Sequence, residues 1–335
     1  MKTNSTRLLG VLVAASLMSA TAARAEMTQV RVATQIGLSY LPLLIMEHEK
    51  LWEKKAEAKG LPLTVEYSRL GGGSPLNDAL LSDSVQIASA GVAPLLTLWD
   101  RTKSNYKVKA LSAINASPMY ILTNNPNIKS IKDFTDADRI AVASVKISIN
   151  AIVFDIGAEK ALGPGKGNAL DNIQVAMAHP EAYAALTSHA GGITGYVASS
   201  PFQERALTQP GIYKVTDSFE ILGGPATLSL IYAKSDFVEK NPKLVEAFME
   251  AQKEAVEMIK KDRAKAIDDY YAVTNDKTDR ALVEQILSSK NVDFDIYPKA
   301  TMPIADFMFR TGVLKTMPAS WKDYFFDTMK DQSGS

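Results

Sequence analysis

The chain has 335 residues, of which 46% are hydrophobic and 22% charged, and its 37 basic residues balance its 37 acidic residues. This length exceeds what one core usually supports and favours two lobes, and the zero net charge argues against a nucleic-acid-binding protein. The lack of cysteine excludes disulfides, thiolate metal sites, cysteine nucleophiles and lipid attachment through cysteine. With only three histidines, we expect no metal and no cofactor.

The first 25 residues have the organisation of a secretory signal peptide. Lys2 and Arg7 give a positive start, and the mostly apolar run that follows, residues 8–20, is too short to span a bilayer comfortably. Ala23 and Ala25 place small residues where a signal peptidase reads them. We therefore predict cleavage after Ala25 and a free periplasmic product. The alternative is an uncleaved anchor helix.

Short apolar strands alternate with helices in the first part of the mature chain. Ser74 followed by Pro75 is typical of a helix start, with Ser74 as N-cap and Pro75 at the first helical position. The predicted elements are strand 30–33, helix 42–59, strand 63–67, helix 76–81, strand 86–88 and strand 107–114.

The same alternation returns in the middle of the chain and gives way to helices at the end. Strands that alternate with helices imply parallel sheets covered by helices, so two such blocks predict two α/β lobes. The predicted elements are strand 139–143, helix 148–162, strand 173–177, helix 180–189, strand 196–198, helix 201–207, strand 228–233, a long helix from Pro242, and helices 281–287 and 303–309.

Catalytic and metal-binding signatures are weak. The glycine-rich stretch 163–167 follows a helix, not a strand, and has no Ser or Thr after Lys166, so we interpret it as a turn and not as a phosphate-binding loop. Asp293 and Asp295 have the spacing of one strand face but no further ligands nearby, which favours a solvated loop over a metal site. His179 follows a strand, where it could touch a ligand, but an ordinary loop histidine is the simpler interpretation. We do not expect an enzyme.

Five polar loops that follow strands and open helices carry the stronger signal. Ligands of open α/β sheets bind outside the carboxyl ends of the strands, where helix N-termini present free N–H groups and partial positive charge. Each loop alone could be an ordinary cap or turn, but five in one exported chain favour a cleft for a small anionic or strongly polar molecule. The candidate ligand-binding residues in these loops are Gln35, Ser39, Tyr40, Ser74, Gly91, Val92, Ser144, Lys146, Ser148, Ser200 and Phe202.

Side-chain chemistry suggests roles for some of these candidates. Ser144 and Ser148 could donate hydroxyl groups to an anion, and Lys146 could add a full charge. Tyr40 and Phe202, one from each lobe, could clamp an apolar tail. The alternative is that Lys146 points to solvent and that the serines only cap a helix.

Several segments resemble one known family. Residues 30–37 and the helix after them are similar to the opening of substrate-binding proteins of nitrate/sulfonate/taurine-type ABC transporters. The same holds, in the family's order, for Ser74 to Leu80, Ala90 to Pro94, Ala184 to Phe202, and Phe237 to Pro242. The likeness runs over most of residues 28–270.

The resemblance implies a type II periplasmic-binding-protein fold with two hinge strands and a helical C-terminal region. After the signal peptide, 1–25, lobe I would comprise residues 26–115 and 228–335, and lobe II residues 116–227. The chain would cross between the lobes near 113–120 and 225–230, and Ser117 in the first crossing joins the candidate ligand-binding residues.

The resemblance also implies a function. A monomer would capture a small anionic organic solute of the sulfonate or carboxylate type, close around it, and dock on an ABC-transporter permease in the inner membrane. The alternatives are a periplasmic enzyme or a ligand sensor on the same fold, or a binder of a neutral heterocycle such as a thiamine-precursor pyrimidine.

Export gives the first prediction. Because residues 23–25 form the one plausible processing site, the exported protein should begin at Glu26 and appear in the soluble periplasmic fraction. Intact-mass spectrometry of that fraction checks this. A mass that retains residues 1–25, or protein confined to membranes, contradicts it.

Overall fold

Two mixed β-sheets, each covered by helices, make up the structure, a computed structural model that describes residues 25–189, 191–329 and 334–335. This arrangement confirms the predicted α/β class with two sheets. The predicted signal peptide lies outside the described residues except for Ala25. Within the described chain, no helix combines the length and the apolar character needed to cross a bilayer.

Eleven strands form the two sheets in the described chain. They are β1 (Gln29–Thr34), β2 (Thr64–Arg69), β3 (Ile87–Gly91), β4 (Lys109–Ala116), β5 (Tyr120–Thr123), β6 (Ile140–Val142), β7 (Gln174–Ala176), β8 (Gly195–Ala198), β9 (Tyr213–Asp217), β10 (Ser229–Ala233) and β11 (Asp293–Phe294).

The two sheets have related topologies. The first has the order β11-β4-β10-β3-β1-β2, and the second has the order β7-β6-β8-β5-β9. In the first, β1 pairs in parallel with β2 and β3, and β10 runs antiparallel between β3 and β4. In the second, β6 pairs in parallel with β7 and β8, and β5 runs antiparallel between β8 and β9. In each sheet, therefore, three strands pair in parallel, and the antiparallel strand beside them is the first strand that the chain forms after crossing from the other sheet.

Thirteen α-helices cover these sheets in the described chain. They are α1 (Leu41–Glu49), α2 (Leu51–Ala58), α3 (Gly73–Leu81), α4 (Val92–Arg101), α5 (Ile149–Leu162), α6 (His179–Thr187), α7 (Phe202–Leu207), α8 (Ser218–Leu222), α9 (Ser235–Lys240), α10 (Pro242–Lys261), α11 (Arg263–Thr274), α12 (Arg280–Ser288) and α13 (Met302–Arg310).

Burial explains the sequence patterns of these elements. All five residues of β3 are buried, as expected for a central strand with both faces covered, whereas the edge strand β2 alternates between partly buried and exposed positions. The first ten residues of α5 are buried, so this helix lies in the interior and shows no amphipathic stripe.

The structure corrects two predictions about helix boundaries. The predicted helix 42–59 is two helices, because Lys50 adopts a left-handed conformation with φ 51° and separates α1 from α2. Ser74 is not an N-cap: α3 begins at Gly73, its N-cap is the extended residue Gly72, and Ser74 lies in the first turn. The helices α4 and α8 and the strands β5, β9 and β11 were not predicted from the sequence.

Two stretches without a catalytic signature are ordinary structure. The predicted turn after α5 is confirmed, with Gly163 and Gly165 at φ 108° and 76°. The prediction of a solvated loop at Asp293 and Asp295 is wrong for Asp293, which lies in the short strand β11. Lys299 contacts both carboxylates, at 2.5 and 3.7 Å.

The long helix α10 anchors the first sheet. The Trp52 and Phe248 rings meet edge to face at 4.9 Å, and the Trp52 indole donates to the Leu244 carbonyl at 2.8 Å. Gln252, fully buried on α10, donates to the Ala113 carbonyl at 2.7 Å and accepts from the Ser112 hydroxyl at 2.5 Å. Its amide thereby satisfies polar groups of β4 that water cannot reach.

Replacement of Gln252 tests this anchoring. Gln252→Ala should lower the free energy of unfolding by about 2–3 kcal/mol, because a buried hydroxyl and a buried carbonyl lose their partner. Lys253→Ala, at the exposed neighbour on the same helix, should change it by less than about 0.5 kcal/mol. Urea denaturation of the mature protein measures both values, and an equal effect of the two substitutions would contradict the assignment.

Candidate functional site

A small cavity lies between the two sheets, beside the segments that connect them. The residues around it, here called the cleft residues, come from both sheets and from both connections. The cavity has a volume of about 20 Å³, and the cleft residues are Gln35, Ser39, Tyr40, Asn115, Ser117, Met119, Ile149, Asn150, His179, Ser199, Leu228 and Ser229.

The topology explains why these residues meet. Gln35 follows the carboxyl end of β1, and Ser199 follows that of β8. His179 opens α6 after β7, and Ile149 and Asn150 open α5 after β6. In α/β sheets, ligands bind at the carboxyl ends of the parallel strands. Here those ends of the two sheets face each other across the cavity.

The first connection between the sheets runs along the cavity. It comprises only residues 117–119, and its Ser117 and Met119 line the cavity. The Ser117 hydroxyl oxygen is buried and has no hydrogen-bond partner within the described chain. Next to it, the Asn115 amide donates to the Ser39 carbonyl. Ser117 therefore places an unsatisfied hydroxyl group beside the cavity.

The first residues of two helices border the cavity. Ser148 caps α5 by accepting from the Ala151 N–H at 3.2 Å, which leaves the first residues of that helix facing the cleft. Asn150 is held in place because its amide donates to the Val197 carbonyl at 3.0 Å. His179 stands at the start of α6. The free N–H groups and the helix dipoles at such positions favour an anionic group.

All twelve cleft residues are neutral. None is a Lys, Arg, Asp or Glu, and burial lowers the pKa of His179 to about 4, so its imidazole is uncharged at neutral pH. The ring nitrogens of His179 lie 2.5 Å from the Tyr196 hydroxyl and 3.1 Å from the Ser199 hydroxyl. The Tyr40 hydroxyl donates to the Gln35 amide oxygen at 2.7 Å, and burial raises the pKa of Tyr40.

Direct contacts between the two sides show that the cleft is closed. The Leu38 N–H donates to the Ser200 carbonyl at 3.0 Å, which joins the loop after β1 to the loop after β8. A Cβ at Gly91 would lie 2.4 Å from the Ile149 side chain on the opposite side. The cavity holds about one water molecule, whereas sites for organic ligands span about 300–1,000 Å³. In this arrangement the cavity has no room for an organic molecule.

Four of the twelve predicted ligand-binding residues line the cavity: Gln35, Ser39, Tyr40 and Ser117. Three others make contacts that close the cleft or flank it. Gly91 faces Ile149, the Val92 N–H donates to the Leu228 carbonyl at 2.9 Å, and the Ser200 carbonyl accepts from Leu38.

The other predicted residues have different positions. The Lys146 side chain is 66% exposed and pairs with Asp171 at 3.3 Å, so it does not line the cavity. Phe202 stacks on the far side of His179, with ring centroids 5.8 Å apart. Ser148 is a helix cap, Ser144 packs near Gly72, and Ser74 lies in the first turn of α3.

Other cleft residues were not named as candidates. Asn115 and Ser229 lie in almost wholly buried strands, where the sequence does not show which residues face a cavity, and Met119 and Leu228 have the appearance of ordinary core residues. Ile149 and Asn150 follow a predicted helix cap, and that position was the available signal for them. Ser199 and His179 each follow a predicted strand, but a single polar residue there is weak evidence.

The family comparison matches the greater part of the chain. A model of the NMT1-like family matches residues 23–271. Among curated proteins, none matches the chain in sequence.

Solved structures resemble the whole chain in fold. The alkanesulfonate-binding protein SsuA of Xanthomonas axonopodis pv. citri, bound to MOPS, is 18% identical with a TM-score of 0.71, and the match covers 89% of this chain and 98% of that one. The periplasmic nitrate-binding protein NrtA of Synechocystis PCC 6803 is 16% identical with a TM-score of 0.64, covering 89% and 84%. The Candida albicans CA3427 gene product, described as having the generic periplasmic-binding-protein fold, is 16% identical with a TM-score of 0.67, covering 92% and 99%. These likenesses confirm the predicted fold.

Substitution of Gly91 tests the closed contact. Its φ of −61° suits any residue, so Gly91→Ala should fold normally, while its new methyl group should collide with Ile149 and disfavour closure. Because the chain has no cysteine, dyes on Glu57→Cys and Glu181→Cys can report the distance across the cleft. We expect the short-distance population of the otherwise unchanged protein to be lost in Gly91→Ala. Its persistence would show that the contact does not control closure.

Proposed function

The chain belongs to the NMT1-like family, and we propose that it is the solute-binding component of an ABC importer. One observation carries the proposal: a cavity between two sheets, at the carboxyl ends of their parallel strands, is lined from both sides by neutral hydrogen-bonding groups. Such a site can hold a small molecule by bridging the two sides, which then close around it.

The proposed ligand is a small organic anion of the sulfonate or carboxylate type. The start of α5, the start of α6 and the unpartnered Ser117 hydroxyl supply donors and partial positive charge without a basic side chain. The printed names of two structural relatives, an alkanesulfonate-binding and a nitrate-binding protein, support an anion. The chain's own Lys146 has no part in this proposal.

The cleft would open and close by a movement of two lobes relative to each other. We assign residues 26–115 and 228–335 to lobe I and residues 116–227 to lobe II, which follows the division of strands between the two sheets. The connections at 117–119 and before β10 would act as hinges. Opening would break the Leu38–Ser200 hydrogen bond and separate Gly91 from Ile149.

Export and delivery complete the proposal. The mature protein would be a periplasmic monomer, and its closed form would present a surface from both lobes to an inner-membrane permease. An enzyme is not favoured, because the neutral cleft offers His179 as its one ordinary acid–base group and burial holds the pKa of His179 at about 4.

A neutral heterocycle is the second candidate ligand. It is favoured by the same absence of charged side chains among the cleft residues, since an anion enclosed there has no opposite formal charge. Native mass spectrometry of gently purified protein, followed by calorimetry with nitrate, short alkanesulfonates, carboxylates and pyrimidines, separates the two ligand classes.

Ser117 provides the mutational test of the site. Ser117→Ala should weaken binding of the ligand so identified by about tenfold or more if it is an anion, because a hydrogen bond to a charged group is lost. Lys146→Ala is the matched control and should leave the affinity unchanged, since Lys146 is exposed and paired with Asp171. Calorimetry measures both dissociation constants.

The opposite pattern would contradict this placement of the site. Weaker binding in Lys146→Ala together with unchanged binding in Ser117→Ala would move the ligand away from the cavity and toward the loop before α5. A protein that retains no solute and binds none of the four classes would count against solute capture itself.

A further inference from the structure

A second pocket lies behind the first connection between the sheets. Its volume is about 350 Å³, and it opens between α7, which covers the second sheet, and α12, which belongs with the C-terminal helices of the first. Its lining includes Pro118, Tyr120, Glu204, Leu207, Leu282 and Ile286. We call it the rear pocket.

The connection between the sheets separates the rear pocket from the cleft. Successive residues of an extended segment point to opposite sides. Accordingly Ser117 and Met119 line the cleft, while Pro118 and Tyr120 line the rear pocket. Gln203 fixes this segment, because it donates to the Pro118 carbonyl at 2.9 Å and accepts from the Tyr120 N–H at 3.0 Å.

Glu204 is the polar group of the rear pocket that lacks a full set of partners. Its Oε1 accepts from the Ser200 hydroxyl at 2.8 Å and from the Gln203 amide at 2.9 Å. Its Oε2 is buried and has no hydrogen-bond partner within the described residues, where no ion pair involves Glu204 either. Burial raises the pKa of this carboxyl, and the hydrogen bonds from Gln203 and Ser200 offset that rise only in part.

The neighbouring cation does not compensate the charge of Glu204. Arg205 lies 3.6 Å from Asp276 and its guanidinium stacks 4.6 Å from the centre of the Tyr183 ring, so it is directed to other partners. Glu204, which lines the rear pocket, thus has a buried carboxylate oxygen without a donor. A buried carboxylate in this state gains most from a ligand that brings both a hydrogen-bond donor and a positive charge.

The remaining walls of the rear pocket are largely apolar. Leu207 is 38% exposed although it is a large aliphatic residue, and Leu282 and Ile286 face it from α12. Apolar area of this kind favours a short hydrocarbon chain. The pocket therefore combines one anionic acceptor with an aliphatic wall.

We propose that the rear pocket is a second binding site, for a small alkylammonium ion whose ammonium group binds Glu204 and whose hydrocarbon chain lies between α7 and α12. An occupant contacts both sides of the molecule beside the connection 117–119, so it stabilises one relative position of the two sheets. The site itself is independent of the solute proposed for the cleft.

Binding of hexylammonium to the mature protein tests the proposal, with 1-hexanol and hexanoate as probes of equal chain length. Calorimetry and NMR titration should show saturable binding of the amine and binding of the alcohol and the carboxylate that is weaker by about tenfold or more. Glu204→Gln, which keeps an Oε1 acceptor for Ser200 and Gln203, should weaken amine binding by the same factor. Glu284→Gln, which removes an exposed carboxylate from α12, should not change it.

A second variant keeps the test decisive if Glu204→Gln is unstable. Gln285→Trp adds a large ring to the rear pocket from an exposed position on α12 and should abolish amine binding. Equal binding of amine and alcohol, or amine binding that survives both substitutions, overturns the proposal. Loss of cleft-ligand binding with intact amine binding would instead count against the proposed function alone.

Discussion

The passage of the chain between its two sheets through only three residues, 117–119, is the constraint on which the rest of the structure depends. So short a connection keeps the carboxyl ends of β4 and the start of β5 adjacent, and it brings the crevices of both sheets face to face. Gln203 holds the segment by hydrogen bonds to the residues on either side of Met119. After the second sheet, the chain returns to the first sheet as β10, which pairs with β4.

How much of this was predictable follows from where each signal lies in the sequence. Alternating strands and helices gave the two sheets, because burial on both faces of β3 or all round α5 leaves a local pattern. The loops after β1 and β8 were also predictable as crevice loops. The directions of the side chains were not predictable. Lys146 pairs with Asp171, and Asn115 lines the cavity from within a strand. Neither position follows from the neighbouring residues in the sequence. Contacts between the two sides join residues that are far apart in the sequence, such as Leu38 and Ser200.

The electrostatics of the cleft differ from those expected of a simple anion site. A lysine would attract anions strongly but would also hold a charge that must be desolvated whenever the cleft closes without a ligand. Neutral donors such as Ser117, together with helix N-termini, avoid that cost because their dipoles are fixed by the fold. A cleft with this lining can therefore close without a ligand. The structure, in which the cavity has a volume of about 20 Å³, has such a closed cleft.

The hydrogen bond between Leu38 and Ser200 joins the two sides through main-chain atoms alone. Substitutions in the side chains around the cavity can therefore accumulate without removing it, as long as the two loops keep their backbone paths. This main-chain hydrogen bond and the side chains proposed to select the solute are therefore different atoms. Under the proposed function, a change of solute would require substitutions at lining positions such as Gln35, Asn150 or Ser229, and the main-chain hydrogen bond between the two sides would stay in place.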